Sequence, residues 1–350
     1  MLFCHLGNCL SLRDITNGIR SAGGNLNHLG IGSAPSRNAL SYQNRERPWE
    51  VWEYIYKLLH DKLGQQAWKR ACGRLIEGVG KRKVNVLDSS VITLCASIFD
   101  WAHYSREKGA IKMHTLFSLS DFLPQYIHIS DGKMSDNIGA YHALPERGSV
   151  MVADRGNCDT ELLKDWDSMG VCFVVRLRKD LKYRRLHEFE QPDDKEQNIL
   201  IDEAIEFTGE EPSKKYPQPI RRVVVYDETM QEAIELLTNN AYWDAATVAE
   251  LYKARWEVET FFKCIKQLLR IKSFVGTSKN AVCTQIWTAM IAVLLLRFLR
   301  CQASYAWHMS NLVTFLRLNL FAKIDLWKWL NEPFEKRPPP QKRLTQGVLL

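Results

Sequence analysis

Tyr252, Arg255, Glu259 and Lys266 follow one another at steps of three, four and seven within Leu251–Lys266. On an ideal helix, at about 100° per residue, they share a stripe about 60° wide and about four turns long, with Lys263 flanking it. Ala254, Val258, Phe261, Phe262, Ile265 and Leu269 form an apolar face beside that stripe. A helix built so buries one side on a sheet and holds a carboxylate at the edge, between cations. That arrangement suits a divalent metal whose other ligand is a phosphate: the carboxylate holds the ion and the cations neutralise a nucleic-acid backbone. The plain alternative is an ion-pair face on an ordinary surface helix.

Metal-assisted phosphoryl transfer needs more than one carboxylate, so partners are expected on strands next to that helix. Asp88 alternates with Val84 and Val86 and points the same way as they do. An aspartate on the apolar side of a strand is expensive unless a metal or cation compensates it. Asp154 ends the run Val150-Met-Val-Ala, where a strand's C-terminal end commonly supplies site residues. Taken singly, either aspartate could be a strand-end turn or a helix cap. His114, beside Lys112, could lie near such a metal or be a satisfied core histidine. Arg176, Arg178, Lys179, Lys182, Arg184 and Arg185 form the densest basic run, and Arg37, Arg45 and Arg47 a looser one. Either could touch phosphates or only solvate its own segment. No glycine-rich nucleotide-binding motif of the Walker type occurs, so ATP hydrolysis is not indicated.

The elements that must position these residues can be read from the apolar period. Lys83–Asp88 alternates and is β-branched, and Ile111–Leu119 and Pro124–Ile129 follow as strands. Then come a short helix (Ser135–Leu144), a strand (Ser149–Asp154), a helix (Glu161–Met169) and a strand (Val171–Leu177). Three strands, then helix–strand–helix–strand, is the order of an α/β, ribonuclease-H-like mixed sheet with flanking helices. Residues 81–177 are its first part. Residues 178–237, charged and holding Pro192, Pro212, Pro217 and Pro219, read as a β-rich insertion. Its runs are Ile199–Phe207, Arg221–Tyr226 and Glu232–Leu237, and the last could rejoin the core. Residues 238–330 complete the core, helical from Thr247 to Leu299. Residues 1–80 are mainly helical, broken at Gly23-Gly24 and Gly30–Pro35, with Pro48 in the first turn of the helix 48–59. Residues 331–350 are a basic, Pro-rich tail.

The 350 residues, 46% hydrophobic and 25% charged, can build a full globular core, and the net charge of +7 fits a polyanionic partner without requiring one. Nine cysteines, none paired as Cys-x-x-Cys, argue against a disulfide framework or a structural zinc and for a reducing cytosol. The start lacks a signal-peptide pattern, and the apolar run Ile286–Leu296 reads as a buried helix too short to span a bilayer.

Tyr-x2-Arg-x3-Glu-x6-Lys at 252–266 resembles the signature of IS4-family DDE transposases. Leu237-Thr-Asn, Arg255-Trp, Phe261-Phe-Lys and Gly276-Thr-Ser around it are also similar to that family. Asp88-Ser-Ser-Val resembles its first aspartate motif. Asp154-Arg-Gly resembles the second, with Asn157 where the family has tyrosine, and Lys112 and His114 are similar to its second strand. The likeness is good over residues 83–280 and looser over 1–80. It implies that Asp88, Asp154 and Glu259 are catalytic and hold two Mg²⁺ ions about 3.5–4 Å apart, Mn²⁺ being able to substitute. It implies that Tyr252, Arg255 and Lys266 bind DNA phosphates. The activity implied is cleavage at insertion-sequence ends, passage through a hairpin, and transfer to target DNA. The partners are double-stranded DNA and a second copy in a homodimeric synaptic complex, in a prokaryotic, nucleoid-associated cytosolic setting. Relatives carry a longer helical DNA-binding region ahead of Ser11-Leu-Arg-Asp, so residues 1–80 are expected to be a truncated DNA-binding part. A ribonuclease-H-like nuclease without strand transfer and an inactive DNA-binding remnant are the competing readings.

Overall fold

The computed structural model describes residues 1–22, 26–27, 30, 32–67, 76–95, 98–99, 101–102, 109–189, 198–268 and 274–334. Gly23-Gly24, Pro192, Leu269 and the basic stretch of the tail lie outside them. The chain opens with α1 (Leu2–Leu6), α2 (Leu12–Ser21), α3 (Arg37–Glu46) and α4 (Glu50–Ala67). Ser11 and Ser36 cap α2 and α3, their hydroxyls each accepting a backbone N–H at 3.1 Å. Pro48 stands two residues ahead of α4 rather than in its first turn.

β1 (Val84–Leu94), β2 (Gly109–Ser118) and β3 (Leu123–Asp131) form an antiparallel meander. The short α5 (Asp136–Tyr141) leads to β4 (Val150–Ala153), which lies parallel to β1. A 3-10 turn (Arg155–Asn157) and α6 (Thr160–Ser168) then carry the chain to β5 (Cys172–Arg176), parallel to β4. The order β3-β2-β1-β4-β5 is that of the ribonuclease-H-like sheet.

The next segment lengthens that sheet. β6 (Tyr183–Glu188), β7 (Ile199–Phe207), β8 (Ile220–Asp227) and β9 (Glu232–Thr238) are mutually antiparallel, with α7 (Glu210–Lys215) between β7 and β8. β9 pairs with β5, so nine strands share one sheet, ending β5-β9-β8-β7-β6. Part of the basic run at 176–185 is thus the edge strand β6, where exposed charge discourages pairing with another chain. Arg221 and Asp202 join β8 to β7 as a buried, two-pronged ion pair with contacts of 2.8 and 2.6 Å.

The stretch expected to run helical from 247 to 299 is three helices: α8 (Ala245–Lys253), α9 (Trp256–Leu268) and α10 (Lys279–Gln302). α11 (Met309–Leu318) and α12 (Leu326–Asn331) follow. Period-two alternation divides the core. Val84, Val86, Val150 and Val152 face Leu251, Val258, Phe261, Ile286 and Met290 of α8 to α10. Leu87, Met151 and Ala153 face Ala140, Leu162 and Trp166 of α5 and α6. α10 is longer than its apolar run. It is long and apolar enough to cross a membrane by composition, with a mean hydropathy of 1.8, yet 78% of that window is buried inside the protein. A helix apolar all round fits that central place, in the core shared with the sheet and with α4, where Tyr56 packs on Trp287 at 5.6 Å.

Candidate active site

The register of two parallel strands builds the site. β1 and β4 pair as far as Leu87 opposite Ala153, where β4 ends. One step on, Asp88 and Asp154 leave the pair level with each other, on the face that carries Val86 and Val152. Parallel neighbours lie about 4.8 Å apart, so the two carboxylates are held close by the sheet itself.

The α8–α9 junction closes over them. Tyr252 donates its hydroxyl to Asp154 Oδ1 at 3.0 Å. Arg255 Nη1 donates to Asp88 Oδ2 at 3.3 Å, and its Nη2 reaches Glu259 Oε1 at 2.9 Å. Here one expectation is corrected: residues 251–266 are not one uninterrupted helix. The N–H of Arg255 bonds to Tyr252 O, and that of Val258 to Arg255 O, closing three-residue turns. Such turns stack side chains i and i+3, which an ideal α-helix would offset by about 60°. The Arg255 guanidinium accordingly lies over the Tyr252 ring, 5.6 Å from its centroid, while the two residues serve different aspartates. Ala254, Val258, Phe261, Phe262 and Ile265 are buried as the apolar period requires. Lys266 is half-buried, about 10 Å along α9 from Glu259.

Burial pushes the Asp88 carboxyl up to about 6, and Glu259 and Asp154 add to the rise; Arg255 and the Ser89 N–H oppose it. Tyr252 is pushed up to about 12, by burial first and by Asp154 next. Arg255 lies above its ordinary value although burial acts against it, because Tyr252, Asp88, Asp154 and Glu259 surround it. Among the described residues no three acidic, histidine or cysteine side chains are spaced as ligands of one ion, since Arg255 stands between Asp88 and Glu259. The donor set nevertheless fits a hard divalent cation. Asp88, Asp154 and Glu259 offer the hard oxygen donors such an ion takes, and burial first, then the two neighbouring acids, holds Asp88 away from its charged form.

His114 is a buried core histidine, its Nε2 2.9 Å from Ser130 Oγ and its pKa driven down to about 4 by burial. It pairs with Ser89 rather than Asp88, so it lies behind the sheet, away from the carboxylates. Asn157, standing where the resemblance has tyrosine, is buried in the turn after Asp154. Arg176, singled out only as part of a basic run, is ion-paired with Glu232 at 2.8 Å and lies close enough to Tyr252 and Asp154 to interact with both. Burial lowers its pKa, but Glu232 first and then these two raise it above the ordinary value. Asp136 was not visible as a site neighbour: it begins a six-residue helix with no periodic signal, yet it bonds to the residue after Asp88.

A ribonuclease-H-like sheet that brings carboxylates from its central strands and a following helix together, with the family match that follows, defines an enzyme of phosphoryl transfer on DNA. The family model described as "Transposase DDE domain" matches residues 80–295, and the chain belongs to that family, the DDE transposases. Such enzymes generally use divalent metal ions. Residues 1–32 match a family described only as a domain of unknown function. The chain is 30% identical over 270 residues to "Putative transposase y4zB" of Sinorhizobium fredii, covering 75% of this chain and 71% of that one. It is 26% identical to "Probable transposase for insertion sequence element IS5377" of Geobacillus stearothermophilus, over 83% of this chain and 75% of the relative. With "Putative transposase for insertion sequence element IS4SA" of Synechocystis it shares 24% identity, over 72% and 71%.

Proposed function

We propose that Asp88, Asp154 and Glu259 hold the divalent metal, Mg²⁺ with Mn²⁺ able to substitute, and that the chain cleaves insertion-sequence ends and joins the freed 3′-hydroxyl to target DNA. The observation that carries this reading is the register that sets Asp88 beside Asp154 under Arg255 and Glu259. Metal bound there would lower the pKa of the attacking hydroxyl and stabilise the leaving oxygen. Tyr252 holds Asp154 by hydrogen bond, and Arg255 orients Asp88 and Glu259. Arg255 and Lys266 place positive charge where a DNA phosphate docks, positioning the duplex without reading its bases. Two DNA ends call for two copies of this site, hence a homodimer in the synaptic complex, acting on the nucleoid in a prokaryotic cytosol. In this reading residues 81–177 and 238–330 form the catalytic core, 178–237 an insertion that extends its sheet, and 1–80 a region that helps bind DNA.

The test compares wild type with Glu259→Gln on the element's own end DNA with Mg²⁺. Nicking and joining by wild type, lost in the variant while DNA binding is kept, is the expected result. Hydrolysis without joining would favour a nuclease, and equal activity in both proteins would reject Glu259 as a catalytic residue.

A further inference from the structure

Behind the carboxylates, on the face away from α9, a fourth acidic side chain bonds to the strand of Asp88 and lies beside the turn that follows Asp154. Ser89 follows Asp88 and donates its hydroxyl to Asp136 Oδ1 at 2.6 Å. Lys112 Nζ lies 3.3 Å from the same oxygen and donates to Met134 O at 2.8 Å. The other oxygen of Asp136 faces the turn that follows Asp154: a Cβ added at Gly156 would come within 3.0 Å of Oδ2. The helix that starts at Asp136 is seated tightly, since a Cβ added at Gly139 would run into the His114 ring.

The strand needs such a brace at this place. Up to Leu87, β1 is hydrogen-bonded on both sides, by β2 and β4; from Asp88 onward β4 has ended and only β2 remains. Asp88 must nonetheless stay level with Asp154 although no β4 residue pairs with it. The Asp136 side chain, 32% exposed, with Lys112 balancing its charge, holds β1 from behind the sheet just past the end of β4.

The geometry points to Asp136 as a positioning residue. By accepting the Ser89 hydroxyl and abutting Gly156, it sets the spacing of Asp88 and Asp154 from behind the sheet. It touches neither substrate nor the reacting atoms, and the inference rests on Asp88 and Asp154 being the metal-holding pair proposed above. Supports of this kind act on metal affinity, typically by about 10–100-fold.

The test uses the full chain without DNA, titrated with Mn²⁺ and followed by the paramagnetic resonance of the free ion. A second readout is the Mn²⁺ dependence of nicking of a supercoiled plasmid. Asp136→Ala and Ser89→Ala are each expected to raise the half-saturating Mn²⁺ about tenfold, with the nicking rate at saturating Mn²⁺ within about threefold of wild type. Asp136→Asn keeps an oxygen for the Ser89 hydroxyl and should stay within about threefold of wild type in both readouts. Should Asp136→Ala misfold, Ser89→Ala still reports on the same bond. Unchanged half-saturation in both alanine variants would overturn the inference. So would a fall in maximal rate at unchanged half-saturation, or an Asp136→Asn as impaired as Asp136→Ala. Asp88→Asn serves as the reference: normal Mn²⁺ binding there would sink the carboxylate reading itself, and this inference with it.

Discussion

Arg255 meets Asp88 across 3.3 Å, an ion pair between residues 167 positions apart in the chain and 10% and 18% exposed. The cation does not bring Asp88 back to an ordinary carboxylate, because burial and the two other acids outweigh it. The carboxylates thus keep a demand for further positive charge that a divalent cation would meet, and a cation held there would in turn attract a DNA phosphate.

Arg255→Ala should destabilise the metal-free protein by about 2–3 kcal/mol, because it strips a buried carboxylate of its partner. Urea denaturation at neutral pH measures the loss. Millimolar Mg²⁺ should restore more stability to the variant than it adds to wild type, and a variant as stable as wild type would contradict the pairing.

Asp88 sets a pH dependence of known sign. Its folded value of about 6 lies above the 3.8 of an ordinary aspartate, so between these values the folded state binds more protons than the unfolded one. The contribution to stability is present below about pH 4 and is lost as pH rises through 6, a loss of about 3 kcal/mol by neutral pH. Asp88→Asn should therefore gain on wild type as pH climbs through this window, in denaturation curves recorded with a chelator. A difference that does not vary with pH would show that Asp88 titrates normally.

Tyr252→Phe separates two roles for the phenol. The hydroxyl is engaged by Asp154 at 3.0 Å, so its removal should cost about 1 kcal/mol of stability and slow end cleavage about tenfold. The Kd for end DNA should change less than about twofold. A marked loss of DNA affinity would instead make Tyr252 a phosphate ligand, as the resemblance alone implied.

Arg221→Ala should destabilise the protein by about 3–5 kcal/mol, leaving Asp202 charged and buried without its two-pronged partner. Arg221 also stacks over Phe189, 5.0 Å from the ring centre, so lysine should recover only part of the loss. Urea midpoints of the three proteins decide this, and a loss below about 1 kcal/mol for alanine would reject it.

Gly139→Ala should cost about 1–3 kcal/mol by forcing a methyl group into the His114 ring. Because α5 carries Asp136, the same change should weaken Mn²⁺ binding, whereas Gly148→Ala, on an open turn, should leave Mn²⁺ binding alone. Equal effects of the two substitutions on Mn²⁺ affinity would detach α5 from the site.

Much of this could be read before the chain was folded. The strands at Ile199–Phe207 and Glu232–Thr238 and the buried face of α9 follow from periods of two and three to four, which neighbours in sequence dictate. The spacing of Tyr252, Arg255 and Glu259 singled out the helix region, though not the tight turn at Ala254-Arg255, because an ideal wheel assumes unbroken geometry. The strand β6 was hidden by its charge, since an edge strand needs no apolar face.

What the sequence determined by itself is therefore local: which segments alternate, which helix face is apolar, and which carboxylates and cations stand at telling intervals. Only the tertiary structure decided which of them meet. The end of β4 opposite Leu87, the joining of β9 to β5, and the bond from Ser89 to Asp136 depend on hydrogen-bond register between segments far apart in the chain. Register is set by the packing of whole faces, and no run of neighbouring residues encodes it.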